Sequence, residues 1–574
     1  MNPHRVSRFS PILSALLLAV AAVLALPALR AQVVLAPTSP VIGSSNTVSA
    51  DPKVAAPSQA HCTVKLFSNL KFADYNAKSF TYTPPPRCPG PWAKVVFSAD
   101  FTVTAGLQYD RTAQFDLGGA NLFFGTTPEP RSNLSPAWHV ESDVTDLSAL
   151  LNKTQTGSAI LGNYVGVYNG VDYTGIIYAN AQLTFYVADA EAVAPATPNL
   201  VIGLPGDSGA ATLDTYDSVY RQAVNLPTNV VKAYLDVIAQ GQSNDEFWYL
   251  NVPNNLTTLL DNYGNTAFRE TEITIDEIPA GVAPVYPWIF TGGIDPFLWE
   301  PIPGVQTLNF KPFRVDLTPF AALLSNGKTH AVGLQVYNAD GYFQVAANLL
   351  VYTDPVLKKV TGGIIANTLA AKPTVAVVDN LTSDGDGDAY GTLEVSSKRS
   401  YTISGEVTTF NGVQTTAVEQ SLNFVNTQYY TINPTEYAEN VVQATTDVGG
   451  TYTRVGGVTT HQSASFSYPL VLNYRFAQNA DGTFSQVTSV NQRDIDSTIL
   501  TADGERMYAS NTSNAVAAKD TLEYDSNENF TGISGTSSSQ SYISSDSNGA
   551  CFSGELTSAK LKLTSALFSK TCAN

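Results

Sequence analysis

A chain of 574 residues is longer than one hydrophobic core can serve, so several domains are expected. With 44% hydrophobic and only 14% charged residues it cannot be a largely disordered protein. A net charge of −18 and a pI near 4.6 exclude a nucleic-acid binder, which needs a basic footprint.

In chain order, the first predicted element is a secretion signal over 1–31. His4, Arg5 and Arg8 start it, an apolar run from Ile12 to Pro27 follows, and Ala28 and Ala31 offer small residues for cleavage. The run is short for a membrane span, so the mature chain is expected to be secreted or periplasmic, free of the membrane and monomeric. Residues 32–59, rich in Ala, Pro, Ser and Val, read as a linker. A first alternating region then covers 60–192, and a Pro-rich break from Ala194 to Asn199 separates it from a second over 199–355. A Ser/Thr/Tyr-rich region occupies 356–574. Tyr 28 and Phe 26 against Met 2 favour strands over helices. The expected fold is all-β: two adjacent antiparallel sandwiches followed by a C-terminal β-rich domain.

An internal echo supports the pairing of the first two regions. Asp143-Val-Thr-Asp-Leu-Ser-Ala-Leu-Leu recurs as Asp316-Leu-Thr-Pro-Phe-Ala-Ala-Leu-Leu. In each copy a Thr or Asp caps one helical turn that a Leu pair buries, and Pro319 and Asn326-Gly327 mark the start and end of the second. Two related sandwiches side by side leave a natural ligand site between them. The four cysteines pair most simply as Cys62 with Cys88 and Cys551 with Cys572, which suits an oxidising compartment.

Two acidic signatures carry the chemistry. Gln108-Tyr109-Asp110-Arg111 and Asn244-Asp245-Glu246-Phe247-Trp248-Tyr249 each set a carboxylate beside aromatic rings, which hold the apolar faces of sugars. Taken as strands, Asp110 faces outward while Arg111 falls on the apolar side and needs a carboxylate or carbonyls. Pattern alone reads Asp110 more simply as a surface acid beside a structural ion pair. Glu246 shares a face with Trp248, where burial raises its pKa and prepares it as an acid; an edge-strand acid is the equal alternative. Trp288 and Trp299 flank a Gly-Gly turn fit to line a sugar site, although Trp288 also reads as core. Asp384, Asp386 and Asp388 have calcium-like spacing, but Ala389 and Val395 stand where the loop needs Gly and Glu, so a solvated turn is the better reading. No zinc-ligand spacing and no nucleophile elbow occur, and no metal or cofactor is expected.

Several collinear motifs resemble one family: Cys88-Pro-Gly-Pro-Trp, Tyr109-Asp-Arg, Val140-Glu-Ser-Asp-Val-Thr, Asn244-Asp-Glu-Phe-Trp-Tyr, Ala267-Phe-Arg-Glu and Thr291-Gly-Gly-Ile-Asp-Pro-Phe-Leu-Trp. From Cys62 to about Thr353 the chain resembles the A-type peptide-N4-(N-acetyl-β-glucosaminyl)asparagine amidases, and more distantly the bacterial peptide-N-glycosidase F. The resemblance implies a jelly-roll-like form for the two adjacent sandwiches and hydrolysis of the amide joining Asn to the first GlcNAc of an N-glycan, with a glycopeptide or glycoprotein as substrate. It implies Asp110 and Glu246 as catalytic groups. It implies Tyr109, Arg111, Asp245, Trp248, Arg269, Glu270 and Trp299 around the substrate, with Asn163 where the bacterial enzyme has a glutamate. A glycoside hydrolase with the same carboxyl pair and a non-catalytic glycan-binding sandwich remain the rival readings.

Overall fold

The computed structural model describes residues 40–205, 209–215, 218–384 and 387–571. The expected signal and the N-terminal part of the expected linker therefore lie outside the described residues. Nearly all regular structure is antiparallel strand, as composition and alternation anticipate.

The first sandwich has two four-stranded sheets. One runs His61–Phe72, Ile177–Val187, Trp92–Val103, Ala137–Asp143, and the other Lys78–Tyr82, Gln155–Leu161, Thr112–Leu117, Ala120–Thr126. The period-2 pattern drives this packing: along Ile177–Val187 every second side chain is buried. Phe72, Phe97, Phe101 and Phe123 surround Phe115 with ring centroids 5.2–6.3 Å away. The Cys62–Cys88 disulfide ties the first strand to the segment before Trp92 and contributes about 3 kcal/mol by restricting the unfolded chain. Cys551 is also disulfide-bonded, and its expected partner Cys572 lies outside the described residues.

The second sandwich repeats the plan. Leu200–Leu204, Tyr342–Thr353, Val230–Gln242 and Phe313–Asp316 form one sheet, with Ala211–Leu213 added beside Tyr342–Thr353. Tyr220–Asn225, Thr329–Val336, Glu270–Ile275 and Ile278–Pro284 form the other. In both sandwiches the first strand pairs with the last, and the last with the long strand, which pairs with the strand entering the short helix. Those helices are the echoed segments, Ser148–Leu151 and Ala321–Leu324, each preceded by a 3₁₀ turn. Asp143 Oδ1 accepts from Thr145 N at 3.0 Å and Asp316 Oδ1 from Thr318 N at 2.9 Å, so the same aspartate caps both turns.

The sandwiches meet along Ala120–Thr126. Asn121 N donates to Asn348 Oδ1 and Asn348 Nδ2 to Asn121 O, both at 2.9 Å. Gly203 approaches so closely that a Cβ there would lie 1.6 Å from Gly119 O, which explains the bare backbone.

The last region is one eleven-stranded sheet. Gly362–Asn367 and Val375–Ser383 both pair with Ala389–Thr409, and a meander then runs to Lys562–Ser569. The strands of this Ser/Thr/Tyr-rich region reach 22 residues. The buried parity mixes apolar side chains such as Leu422 and Phe424 with polar ones such as Asn426 and Gln428, and β-favouring residues carry the strands on even through Gly449-Gly450 and Pro469. The inner face covers the second sandwich: Asn426 Nδ2 donates to Tyr249 O and Gln492 Nε2 to Pro287 O. Residues 40–59 have no regular structure yet are anchored, through Val48 N to Pro301 O and Ala50 N to Gln540 Oε1.

Candidate active site

Asp110 does not sit on a strand. It lies in the loop after Trp92–Val103, two residues before Thr112–Leu117, so the face assigned to it from alternation does not apply. Arg111 N donates to Thr127 Oγ1 and Thr127 N to Arg111 O, each at 2.9 Å, fixing the loop against the end of Ala120–Thr126. The Arg111 side chain is buried, lies over the Tyr109 ring and donates to the Asp110 carbonyl at 2.9 Å. The expected need for carbonyls or a carboxylate is met on one arm, while Nε and Nη2 have no partner among the described residues.

Glu246 also leaves the strand assigned to it. Val230–Gln242 ends, Ser243 adopts φ 57°, and tight turns over Ser243–Asp245 and Trp248–Leu250 bracket Glu246. Its neighbour Asp245 is sealed in a pair with Arg269 in which both side chains are 0% exposed. Arg269 Nε donates to Asp245 Oδ1 at 2.8 Å, and the backbone N–H groups of Asp340 and Gly341 both donate to Oδ2 at 2.8 Å. These bonds hold the turn that presents Glu246.

A third carboxylate, which sequence reasoning missed, completes the group. Glu129 stands between Pro128 and Pro130, and Thr291 bridges it to the second sandwich: Glu129 N donates to Thr291 Oγ1 at 2.8 Å, and that hydroxyl donates to Thr127 O at 2.9 Å. A Cβ placed on Gly292 would lie 1.9 Å from Glu129 Oε2 and 3.7 Å from Asp110 Oδ1, so both carboxylates crowd the bare Gly292 backbone. The only sequence signal for Glu129 was an acid between two prolines, where neither helix nor interior strand can form.

Electrostatics link the three acids across both sandwiches. Burial, set against the attraction of Arg111, moves the Asp110 carboxyl up to about 6. Burial and then the Asp110 charge push Glu129 up to about 8. Burial, Asp110 and Glu129 push Glu246 up to about 8. Each keeps part of its surface open, so dense surroundings rather than full enclosure cause the shifts. Three acids with one cation cannot all ionise cheaply, which divides them into a charged member and protonated members near neutral pH.

Aromatic rings lie beside Asp110, but they are not the tryptophans expected. Trp248 packs in the core against Tyr249 and Phe424. Trp299 is buried and donates Nε1 to Gly293 O at 2.8 Å, pinning the loop that carries Gly292. Open tyrosines take that place. Tyr75 and Tyr168 are 63% and 62% exposed. Tyr75 Oη and Tyr109 Oη lie 3.0 Å apart, and Tyr164 packs within 6.4 Å of Tyr75, Tyr168 and Tyr173.

The remaining predicted contacts lie behind this surface. Asn163 is buried and donates to Phe72 O and Gly175 O, closing the turn under the tyrosines. Arg269 and Asp245 serve each other, and the buried Glu270 pairs with Arg399 of the long sheet. Their own partners occupy the groups a substrate would use. Of the calcium-like aspartates, Asp386 lies outside the described residues, and Asp384 Oδ1 accepts from Asp388 N at 3.2 Å.

Residues 50–370 match the family described as peptide N-acetyl-β-D-glucosaminyl asparaginase amidase A. The chain belongs to this amidase family. It is similar to peptide-N4-(N-acetyl-β-glucosaminyl)asparagine amidase A of Prunus dulcis, 28% identical over 433 residues, which span 71% of this chain and 73% of the relative. Among solved structures it is similar to PNGase F, a glycosylasparaginase from Flavobacterium meningosepticum. The likeness covers 51% of this chain and 96% of that one, at 14% identity and a TM-score of 0.33. It is likewise similar to PNGF-II, over 51% and 65% of the two chains, at 14% identity and a TM-score of 0.36. No helix among the described residues is long and apolar enough to cross a membrane.

Gly292 offers a sharp test of the site's crowding. Gly292→Ala puts a methyl group within clash distance of Glu129 Oε2 and close to Asp110 Oδ1. Activity is expected to drop about 10²-fold, the cost of a misplacement near 1 Å, with little change in thermal midpoint. Steady-state rates and a melting curve on the same preparation check both halves.

Proposed function

We propose that this amidase hydrolyses the amide between GlcNAc and the asparagine side chain of N-glycopeptides and N-glycoproteins, as a secreted monomer. The observation that carries the reading is the meeting of Asp110 and Glu129 at the bare backbone of Gly292, with Glu246 of the second sandwich within electrostatic reach of both and an open tyrosine surface beside Asp110. Ionised Asp110 takes a proton from water as the water oxygen bonds to the amide carbon. A protonated glutamate, Glu129 or Glu246, gives a proton to the nitrogen as the C–N bond breaks. The products are an aspartate-containing peptide and a glycosylamine. Arg111, buried beside Asp110, favours the ionised form of that carboxyl against the burial that raises it. The tyrosines stack the apolar faces of the core sugars.

The test weighs a glycopeptide's peptide product after incubation with the protein. Asn converted to Asp supports the amidase. A residual GlcNAc on Asn, or an unchanged substrate across pH 4 to 9, overturns it.

The carboxyl shifts set the pH profile. Asp110 must be ionised, so kcat/KM is expected to rise as pH climbs through about 6. The proton donor must be protonated, so the rate is expected to fall through about 8. Both limbs belong to the coupled trio rather than to one residue. A profile flat from pH 5 to 9 would contradict the division of roles.

A further inference from the structure

Away from the acid trio, a cavity of about 400 Å³ opens between the second sandwich and the long C-terminal sheet. Its roof is Tyr286, Trp288 and Phe313, and its floor includes Phe466 and Tyr468. These five rings form a continuous ladder with centroids 4.8–5.8 Å apart. The space exists because the floor loses its side chains at one pair: Gly449 stands opposite Ala464 in the ladder, next to the bulkier Asp447 and Phe466.

Two polar groups in the lining are unsatisfied. The Trp288 indole N–H (residue 5% exposed) and Asp447 Oδ1 (residue 2% exposed) have no hydrogen-bond partner among the described residues. Asp447 Oδ2 accepts from Gln420 and the carboxylate also draws on the Ser421 backbone N–H, which leaves Oδ1 as the open oxygen. Asp494, also in the wall, is occupied by Lys311 and Gln306. Orphaned buried donors and acceptors are costly and are ordinarily met by water or ligand.

We propose that this cleft is a second, non-catalytic binding site for a neutral sugar unit, one to two rings in size. An aromatic ladder covers the apolar faces of such a ring, the indole N–H donates to a hydroxyl oxygen, and Asp447 Oδ1 accepts from a hydroxyl. The volume falls within the range of small-molecule sites. The assignment does not depend on the amidase reading, because the cleft shares no residue with the acid trio.

The experiment titrates mannobiose, and separately N,N′-diacetylchitobiose, into the full chain carrying Asp110→Asn, following tryptophan fluorescence and then soaking crystals. Either disaccharide is expected to shift the emission and to appear in the cleft over Gly449 and Ala464. Ala464→Leu, which fills the floor, is expected to abolish this binding. Asp447→Asn, which keeps the shape, and Trp288→Phe, which removes the indole N–H together with part of the ring, are each expected to weaken it at least tenfold. Melting curves confirm that the variants fold, and variants that do not fold leave the soaked crystal to decide. Only water in the cleft at saturating disaccharide would overturn the proposal, as would binding that Ala464→Leu leaves unchanged. A glycopeptide whose asparagine the parent chain leaves unconverted, with the cleft occupied in the crystal, would refute the amidase reading alone.

Discussion

Replacing Asp110 by asparagine is expected to reduce turnover of a glycopeptide by at least 10²- to 10⁴-fold, the usual worth of a positioned general base. The substitution keeps the size of the side chain and its place before Arg111, so the fold should survive. It also removes a charge that burial already disfavours, so the melting temperature is expected to hold or rise slightly near pH 7. Removing the Asp110 charge takes away the repulsion that helps to hold protons on Glu129 and Glu246, and both should ionise at lower pH. The residual activity of the variant should therefore lose its upper limb earlier on the pH axis. Mass spectrometry of the product peptide gives the rate, and a pH series gives the shift. Near-normal turnover would remove Asp110 from the chemistry.

The parts of this site visible in sequence were those set by local rules. Period-2 alternation marked the sandwiches, and the echoed Asp143 and Asp316 segments marked their common plan, because capping and burial of a Leu pair are decided within nine residues. The side-chain directions of Asp110 and Glu246 were not visible. Alternation was extended through both signatures, but a positive φ at Ser243 and a loop after Val103 end the strands first. Tryptophan was assigned to the sugar surface because of its ring, yet Trp248 and Trp299 fill and pin the interior. The open rings are tyrosines gathered from two loops and the segment around the short paired strands Gly166–Tyr168 and Val171–Tyr173, a convergence no single window of sequence displays. Glu129 escaped for the same reason: its importance comes from Thr291 and Gly292, more than 160 residues away.

Breaking the Asp245–Arg269 pair is expected to produce the largest stability effect in the amidase half. Both side chains are fully enclosed, and removing one partner of such a pair leaves an uncompensated buried charge at a cost of about 3–5 kcal/mol. Arg269→Met strands the Asp245 carboxylate with two backbone N–H donors and no cation. Asp245→Asn keeps the shape but strands the guanidinium, whose other bonds go to the carbonyls of Asn265, Thr266 and Phe268. The two single variants should each melt well below the parent. The double variant Asp245→Asn/Arg269→Met should recover part of the loss, since no lone charge remains. Because Asp245 precedes Glu246, activity should fall in all three, including the double variant measured at a temperature where it is folded. That separation distinguishes a residue that positions the site from one that touches substrate. A substrate contact would raise KM with the melting temperature intact, whereas Asp245 should lower kcat and stability together. Thermal denaturation and steady-state kinetics on the four proteins settle it, and additive single effects without recovery in the double variant would show that the pair is not coupled.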